Sequence, residues 1–488
     1  MSTVDPWTQV RSQSTTVRTA TRAARPSSGR LVGAGVTGLA CLTLASLVAG
    51  IPAAYAAEHV EAPDWSAVAD PGSAWSVARQ IGAHEVWARA DPADAGRGLT
   101  GHGVTIAVLD TGVGDVEGLR TAGKVSHSPD LSLTAAQRRA GASDGMGHGT
   151  HMAGIAAGRD GDVVPGHESD PQHFVGMAPD AHVVDVKVGA ADGRVGVAQV
   201  VAGIDWVVAN RDEHDIRVLN VSWSSTTADA ADLARLGDAV QDAWDAGVVV
   251  VAAAGNDGTD AGSVLPLTMP AAHPAVIAVG SSDHAGTTSV VDDRLGDWTN
   301  PGTSSRRPDL IAPGRSVAGL RLPGSLADRE HPEGLVDGDT SGRFFRGTGT
   351  SQSAAVVSGA VALLLQADPT LTPDEVRALL TGTAEPLAGD DDPAQGAGVL
   401  DVAAAAEQVL SEQVPTVSGA VAQASTTDSV DASTATTEAC TDWSGRSWSG
   451  RSWSAEDWSG RSWSGRSWSA EDWSGRSWSG RSWSAEDW

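Results

Sequence analysis

Five short apolar runs, each separated from the next by room for a helix, set the strongest limit on how this chain folds. They span residues 103–110, 181–188, 216–222, 247–253 and 275–279 and are rich in Val, Ile and Ala. Mostly continuous apolar character means that such strands are buried on both faces. Residues 195–210 and 229–246 read as helices between them. Buried strands alternating with helices predict a mainly parallel central sheet with helices on both faces, a three-layer α/β body. Functional side chains in such sheets collect at the carboxyl ends of strands.

The 488-residue chain is long enough to bury a sizeable core, and 41% of it is hydrophobic. Its aromatic usage is lopsided, with 18 Trp against three Phe and one Tyr. Ten of those Trp, from Trp443 to Trp488, recur every five residues in the units Trp-Ser-Gly-Arg-Ser and Trp-Ser-Ala-Glu-Asp. A period of five matches neither a strand nor a helix, so no single element puts all these rings on one face. Residues 443–488 are therefore expected to be a low-complexity repeat tail without a core of its own. Its regularly spaced rings suit contact with cell wall, glycan or another protein. The Ser/Thr/Ala-rich residues 411–442 read as a linker.

At the other end, five Arg and one acid precede an apolar run over 31–51, followed by Ala54-Tyr55-Ala56. This pattern predicts a secretory signal peptide over 1–56, with an uncleaved membrane anchor as the alternative. Either way the body is placed outside the cell, secreted or retained at the cell surface. Beyond residue 56 the formal net charge is −32, which argues against a nucleic-acid partner. The two cysteines, Cys41 and Cys440, exclude a disulfide framework.

Three polar features stand at strand ends or helix starts. Asp110 closes the first apolar run. His148 and His151 lie in Gly147-His148-Gly149-Thr150-His151. Ser351 lies in Gly349-Thr350-Ser351-Gln352-Ser353, which leads into an Ala/Val/Leu helix. Taken singly, each reads as a turn or helix cap. The two His lack an H-E-x-x-H pattern and a nearby third ligand, so no zinc site is expected. A Ser at a helix start is also where free N–H groups and the helix dipole favour a developing oxyanion.

Together, Asp110, His148 and Ser351 follow the chain order Asp, His, Ser. With Gly176-Met177-Ala178-Pro179, Ala253-Ala254-Gly255-Asn256 and Pro308-Asp309-Leu310-Ile311-Ala312-Pro313-Gly314, residues 76–410 resemble a subtilisin-like serine protease, a subtilase. The resemblance implies a secreted serine endopeptidase, a monomer acting on polypeptides, with a subtilisin-like fold. It makes Ser351 the nucleophile, His148 the general base and Asp110 its partner, with Asn256 as oxyanion donor. It makes Ser222, Trp223, Ser224, Ala253, Ala254 and Gly255 the segments that flank the substrate. No cofactor is required for catalysis, and structural calcium is compatible with the resemblance, although no spacing names its ligands.

This sequence departs from the family at several points. Trp223-Ser224 stands where Leu-Gly is frequent, so Trp223 either narrows the substrate groove or packs inside. Ala355 replaces a usual Pro. Residues 315–346 are longer than in the simplest members and are expected to be a loop bordering the site or an insertion. Residues 57–75 form a segment too short for a folded propeptide, so no intramolecular chaperone of the usual type is expected. Two rival readings are a non-catalytic shell that presents the tail and a metal-dependent hydrolase using His148 and His151.

Overall fold

The computed structural model describes residues 64–135, 144–224, 229–258, 265–389 and 392–415. The expected leader, both cysteines, the repeat tail and all but the first five residues of the expected linker lie outside the described residues. The chain enters through α1 (Ala74–Gln80) and α2 (Ala83–Trp87). It then builds β1 (Thr105–Asp110), β2 (Val125–His127), α3 (His148–Ala157), β3 (His182–Lys187), α4 (Val197–Asn210), β4 (Ile216–Val221), α5 (Ala230–Asp245) and β5 (Val249–Ala253). There follow β6 (Ile277–Asp283), β7 (Arg294–Leu295), β8 (Leu310–Pro313), β9 (Val317–Leu320), α6 (Leu326–Glu330) and β10 (Phe344–Gly347). The last elements are α7 (Thr350–Ala367), α8 (Pro373–Thr383) and α9 (Val402–Leu410).

All five expected strands form, as β1, β3, β4, β5 and β6; with β2 they stand in the order β2-β3-β1-β4-β5-β6, and every pairing along that path is parallel. Both β8, in parallel, and the short β7, antiparallel, pair with β6. Every residue of β1 and β5 is buried, as expected for strands covered on both faces. Helices α3 and α7 pack on each other and on one face of the sheet, whereas α4 and α5 pack together against the other. The chain leaves β1 toward β2 and β3, and leaves β4 in the opposite direction toward β5. A crevice therefore opens at the carboxyl ends of β1 and β4, where the connections diverge.

Helix α7 is apolar all round and buried along its whole length. It is also long and apolar enough to cross a membrane by length and composition alone. Complete burial inside the sheet layers identifies it as a core helix. Helix α8 begins with a reciprocal capping box between Thr372 and Glu375 and has Pro373 in its first turn, where a missing N–H costs nothing.

Two expectations change. Residues 64–75 are part of the body: Ser73 caps α1 through the Ser76 N–H, and Ala318 N–H donates to Gly72 O at 2.7 Å. Residues 315–346 are not a loop but contain β9, α6 and β10, with β9 and β10 forming an antiparallel ribbon. Gly319 and Gly347 are strand positions in this ribbon, and a Cβ at either would meet the side chain of His151 or Gln352.

Asp293, just before β7, is 4% exposed, and neither of its carboxylate oxygens has a hydrogen-bond partner among the described residues. Burial, reinforced by Asp292 and Asp283, pushes its carboxyl up to about 7. An unfolded Asp titrates near 4, so between about pH 4 and 7 the folded state holds the extra proton. The contribution of this residue to stability therefore falls as pH rises through that window and is least favourable above it. Asp293→Asn is expected to stabilise the protein by roughly 1–3 kcal/mol at pH 8 and to change nothing at pH 4. Calorimetric unfolding at the two pH values checks this; equal shifts at both would contradict it.

Candidate active site

Strand β1 delivers Asp110 to the crevice at its last residue, fully buried. A buried carboxylate needs donors, and Asp110 has them. Thr111 N–H donates to Oδ1 at 2.7 Å, and His148 Nδ1 lies 2.8 Å from both Oδ1 and Oδ2. With Nδ1–H donating to the carboxylate, Nε2 is left as the imidazole's proton acceptor. His148 is the first residue of α3, and the helix start is fixed from outside by Asp144. Asp144 Oδ1 accepts from Met146 N–H, Gly147 N–H and the Thr111 hydroxyl, and Oδ2 accepts from Thr150 N–H and its hydroxyl. One carboxylate thus ties the turn before His148, the first turn of α3 and the residue after Asp110 into one unit.

Ser351 is the second residue of α7, at the N-terminal end of a helix without an acid in its first turn. Its Oγ donates to Ser222 O at 3.4 Å, and Ser222 Oγ donates to Ser351 O at 3.2 Å. These bonds join the nucleophile candidate to the end of β4. Ser222 is held in turn by Asn220, whose Nδ2 donates to Ser222 Oγ and whose Oδ1 accepts from Ser358.

Asn256 follows the end of β5. Its Oδ1 accepts from Thr350 N–H at 2.8 Å and from Thr350 Oγ1 at 2.9 Å. That double acceptance assigns the amide orientation and leaves Nδ2 as the donor end. Asn300 braces the same loop. Its N–H donates to Gly255 O, its Oδ1 accepts from Asp257 N–H and its Nδ2 donates to Pro266 O. Gly255 has φ +112°, and a Cβ there would meet the Asn300 side chain at 2.7 Å, so this turn requires glycine.

The structure brings Asp110 and His148 into direct contact and links Ser351 to Ser222. It also holds Asn256 against the residue preceding Ser351. Trp223 is 2% exposed and belongs to the hydrophobic core, so its side chain packs inside and does not narrow the groove. Ser222, Ala253 and Ala254 are buried too, leaving mainly backbone and small side chains along these segments. His151, three residues beyond His148, is buried against Gly319 and bonded to the Leu320 backbone. Burial first, and His148 second, press it down to about 3, so it is a neutral packing residue at any ordinary pH.

Asp144, Thr350 and Asn300 were missed in the sequence reading. Asp144 carried a signal: an acid just before a helix start is a capping candidate. Nothing in the sequence marked Asn300, which acts across 43 residues on Asp257.

Among the described residues, Asp160, Asp162 and His173 bring ligand atoms within 4.8 Å of one another. Asp160 is already committed, accepting from both terminal nitrogens of Arg343 and from Phe174 N–H. A carboxylate neutralised in this way does not fit a calcium site, which draws on uncommitted oxygens.

The sequence model of the subtilase family matches residues 101–424. The chain belongs to the subtilase family of serine-type endopeptidases. It is 32% identical to serine protease AprX of Bacillus subtilis (strain 168) over 314 residues, covering 63% of this chain and 66% of AprX. The chain therefore spans just under two thirds of that relative's length. It is 31% identical to Subtilisin BL of Lederbergia lenta, covering 64% of this chain and 94% of that protein. It is also similar to the crystal structure of a cold adapted subtilisin-like serine proteinase, at 27% identity and a TM-score of 0.47, over 66% of this chain and 97% of that one.

Asp144→Asn keeps the size of the side chain but turns an amide NH₂ toward N–H and O–H donors. The expected cost is about 1–3 kcal/mol of stability, the penalty for leaving buried partners unpaired. Turnover of a peptide substrate is expected to fall by roughly tenfold, because a misplacement of the histidine well below 1 Å is already costly. Melting curves and steady-state kinetics of the variant check both; an unchanged kcat would remove the positioning role.

Proposed function

We propose that this subtilase is a secreted endopeptidase whose Ser351, His148 and Asp110 act as a catalytic triad. The observation that carries the reading is the contact of His148 Nδ1 with both oxygens of buried Asp110. It favours the tautomer in which Nε2 receives the hydroxyl proton as Ser351 Oγ bonds to the scissile carbonyl carbon. The carbonyl oxygen becomes an oxyanion, for which Asn256 Nδ2 and the Ser351 N–H are the donors. Collapse of this intermediate breaks the C–N bond as the imidazolium returns its proton to the leaving amine. Water then attacks the acyl-enzyme, with His148 again taking and returning the proton, to release the acid and free Ser351.

Substrate is expected to lie extended between Ser222–Trp223–Ser224 and Ala253–Ala254–Gly255, held by main-chain hydrogen bonds as an added strand. Burial of Trp223 supports this backbone-dominated mode. Secretion through residues 1–56 accords with the strongly acidic chain beyond them.

A serine-directed fluorophosphonate probe tests the reading. Wild-type protein is expected to be labelled and Ser351→Ala is not, with turnover falling by about 10⁶. Asn256→Ala is expected to keep KM within about twofold while kcat falls by about 10²–10³, the range for losing one oxyanion donor in a subtilisin. A wild-type protein that neither labels nor cleaves would instead be a binding shell.

A further inference from the structure

Of the 33 Lys and Arg residues in the chain, only two are lysines, Lys124 and Lys187. Lys187 is 3% exposed and is the last residue of β3. In the parallel register of β3 on β1 it stands beside Asp110. Register partners present their side chains on one face of a sheet, so Lys187 shares the face on which Asp110 meets His148.

The Lys187 ammonium donates to Thr111 O and, at 3.0 Å, to Gly189 O. Both loops that it joins touch Asp110. Thr111 N–H donates to Asp110 Oδ1, and the N–H groups of Val188 and Gly189 both donate to Asp110 O. Lys187 therefore ties together the residues that hold Asp110 by its carboxylate and by its backbone.

Its charge counts as well as its bonds, because a buried ammonium is little screened. Two residues earlier on the same strand, and so on the same face, lies Asp185, also 3% exposed. Asp185 Oδ2 is 2.9 Å from Nδ1 of the half-exposed His127 of β2. Burial pushes the Asp185 carboxyl up, and His127, Lys187 and the Val113 N–H oppose that rise. The face thus carries a row of alternating charges: His127, Asp185, Lys187, Asp110 and, during the proposed reaction, the His148 imidazolium. Among the other groups around α3, Asp144 is surrounded by its own donors and His151 is neutral. Helix α7 and strand β9 have no ionisable side chain, Arg346 of β10 is paired with Asp70, and Arg321 with Asp328 of α6.

We propose that Lys187 is a positioning residue for the triad: it fixes Asp110 through the loops on either side, and its charge favours the neutral imidazole that accepts the Ser351 proton. This inference rests on the catalytic reading above.

The pH dependence of kcat and KM for a peptide substrate tests it, with active sites counted by fluorophosphonate labelling so that unfolded protein does not enter. Lys187→Met removes both the donors and the charge. Turnover per labelled site is expected to fall about tenfold with KM within about twofold. The acid limb of kcat/KM is expected to move up by about 0.5–1 pH unit, because the imidazolium loses a repelling neighbour. Lys187→Gln supplies an NH₂ donor without the charge, so it is expected to recover most of kcat while the limb stays displaced. Asp185→Asn removes the opposite charge and leaves both Lys187 bonds in place, so its limb is expected to move down. That variant carries the test if neither Lys187 variant folds. A limb that stays put, or that moves the same way on removal of either charge, overturns the proposal and leaves Lys187 as a structural tie. A wild-type protein that neither labels nor cleaves overturns the catalytic reading, and this inference with it.

Discussion

Burying the carboxylate of Asp110 is the constraint on which the rest of the site depends. A charge at the end of a strand with no exposed surface is costly unless donors surround it. Those donors are the Thr111 N–H and the His148 imidazole. Their own positions need support, which comes from Asp144 beneath the start of α3 and from Lys187 beside it. The Lys187 ammonium donates to the carbonyls of Thr111 and Gly189, closing the loops that follow β1 and β3. One buried charge therefore recruits a shell of polar groups, and that shell fixes where the imidazole stands.

How much of this was legible in the sequence follows from the range of each interaction. The strands and flanking helices were legible because burial on both faces writes itself locally as an apolar run. Asp110, His148 and Ser351 each end or begin such an element, which singly reads only as a cap; they stood out through their chain order and the motifs that accompany them. The β9–β10 ribbon was not, since its short strands carry Gly319 and Gly347, and glycine weakens a local strand signal. The reason lies far away in sequence: His151 and Gln352 fill the space that a Cβ would need. Trp223 was ambiguous for a related cause. A tryptophan beside a serine reads equally as groove wall or core, and only the packing of β4 against its surroundings turns it inward.

Asn300 shows the same limit at the finest scale. It closes three hydrogen bonds around the loop of Asn256, two of them to residues on either side of that side chain. An asparagine in a loop usually marks a turn made by its own backbone. Here its side chain instead sets the conformation of another turn, and no local pattern announces this.

Helix α7 explains why a deeply buried element can still present reactive groups. Its 18 residues carry no formal charge, and its first turn contains no acid to compensate the backbone dipole. Helices α5, α8 and α9, at the periphery, are capped instead by Asp229, Thr372 and Asp401. At α7 the first N–H is taken by Asn256, a neutral side chain, so the positive end of the helix remains electrostatically uncompensated. Such an end is stabilised most when negative charge arrives, and in the proposed reaction negative charge arrives only as the oxyanion forms. A carboxylate cap at Gly349 would tighten the helix yet supply that charge permanently, before any substrate is bound. The absence of an acid from this turn is thus the electrostatic counterpart of the buried Asp110: one end of the site holds its charge fixed, and the other is kept open for a charge that is transient.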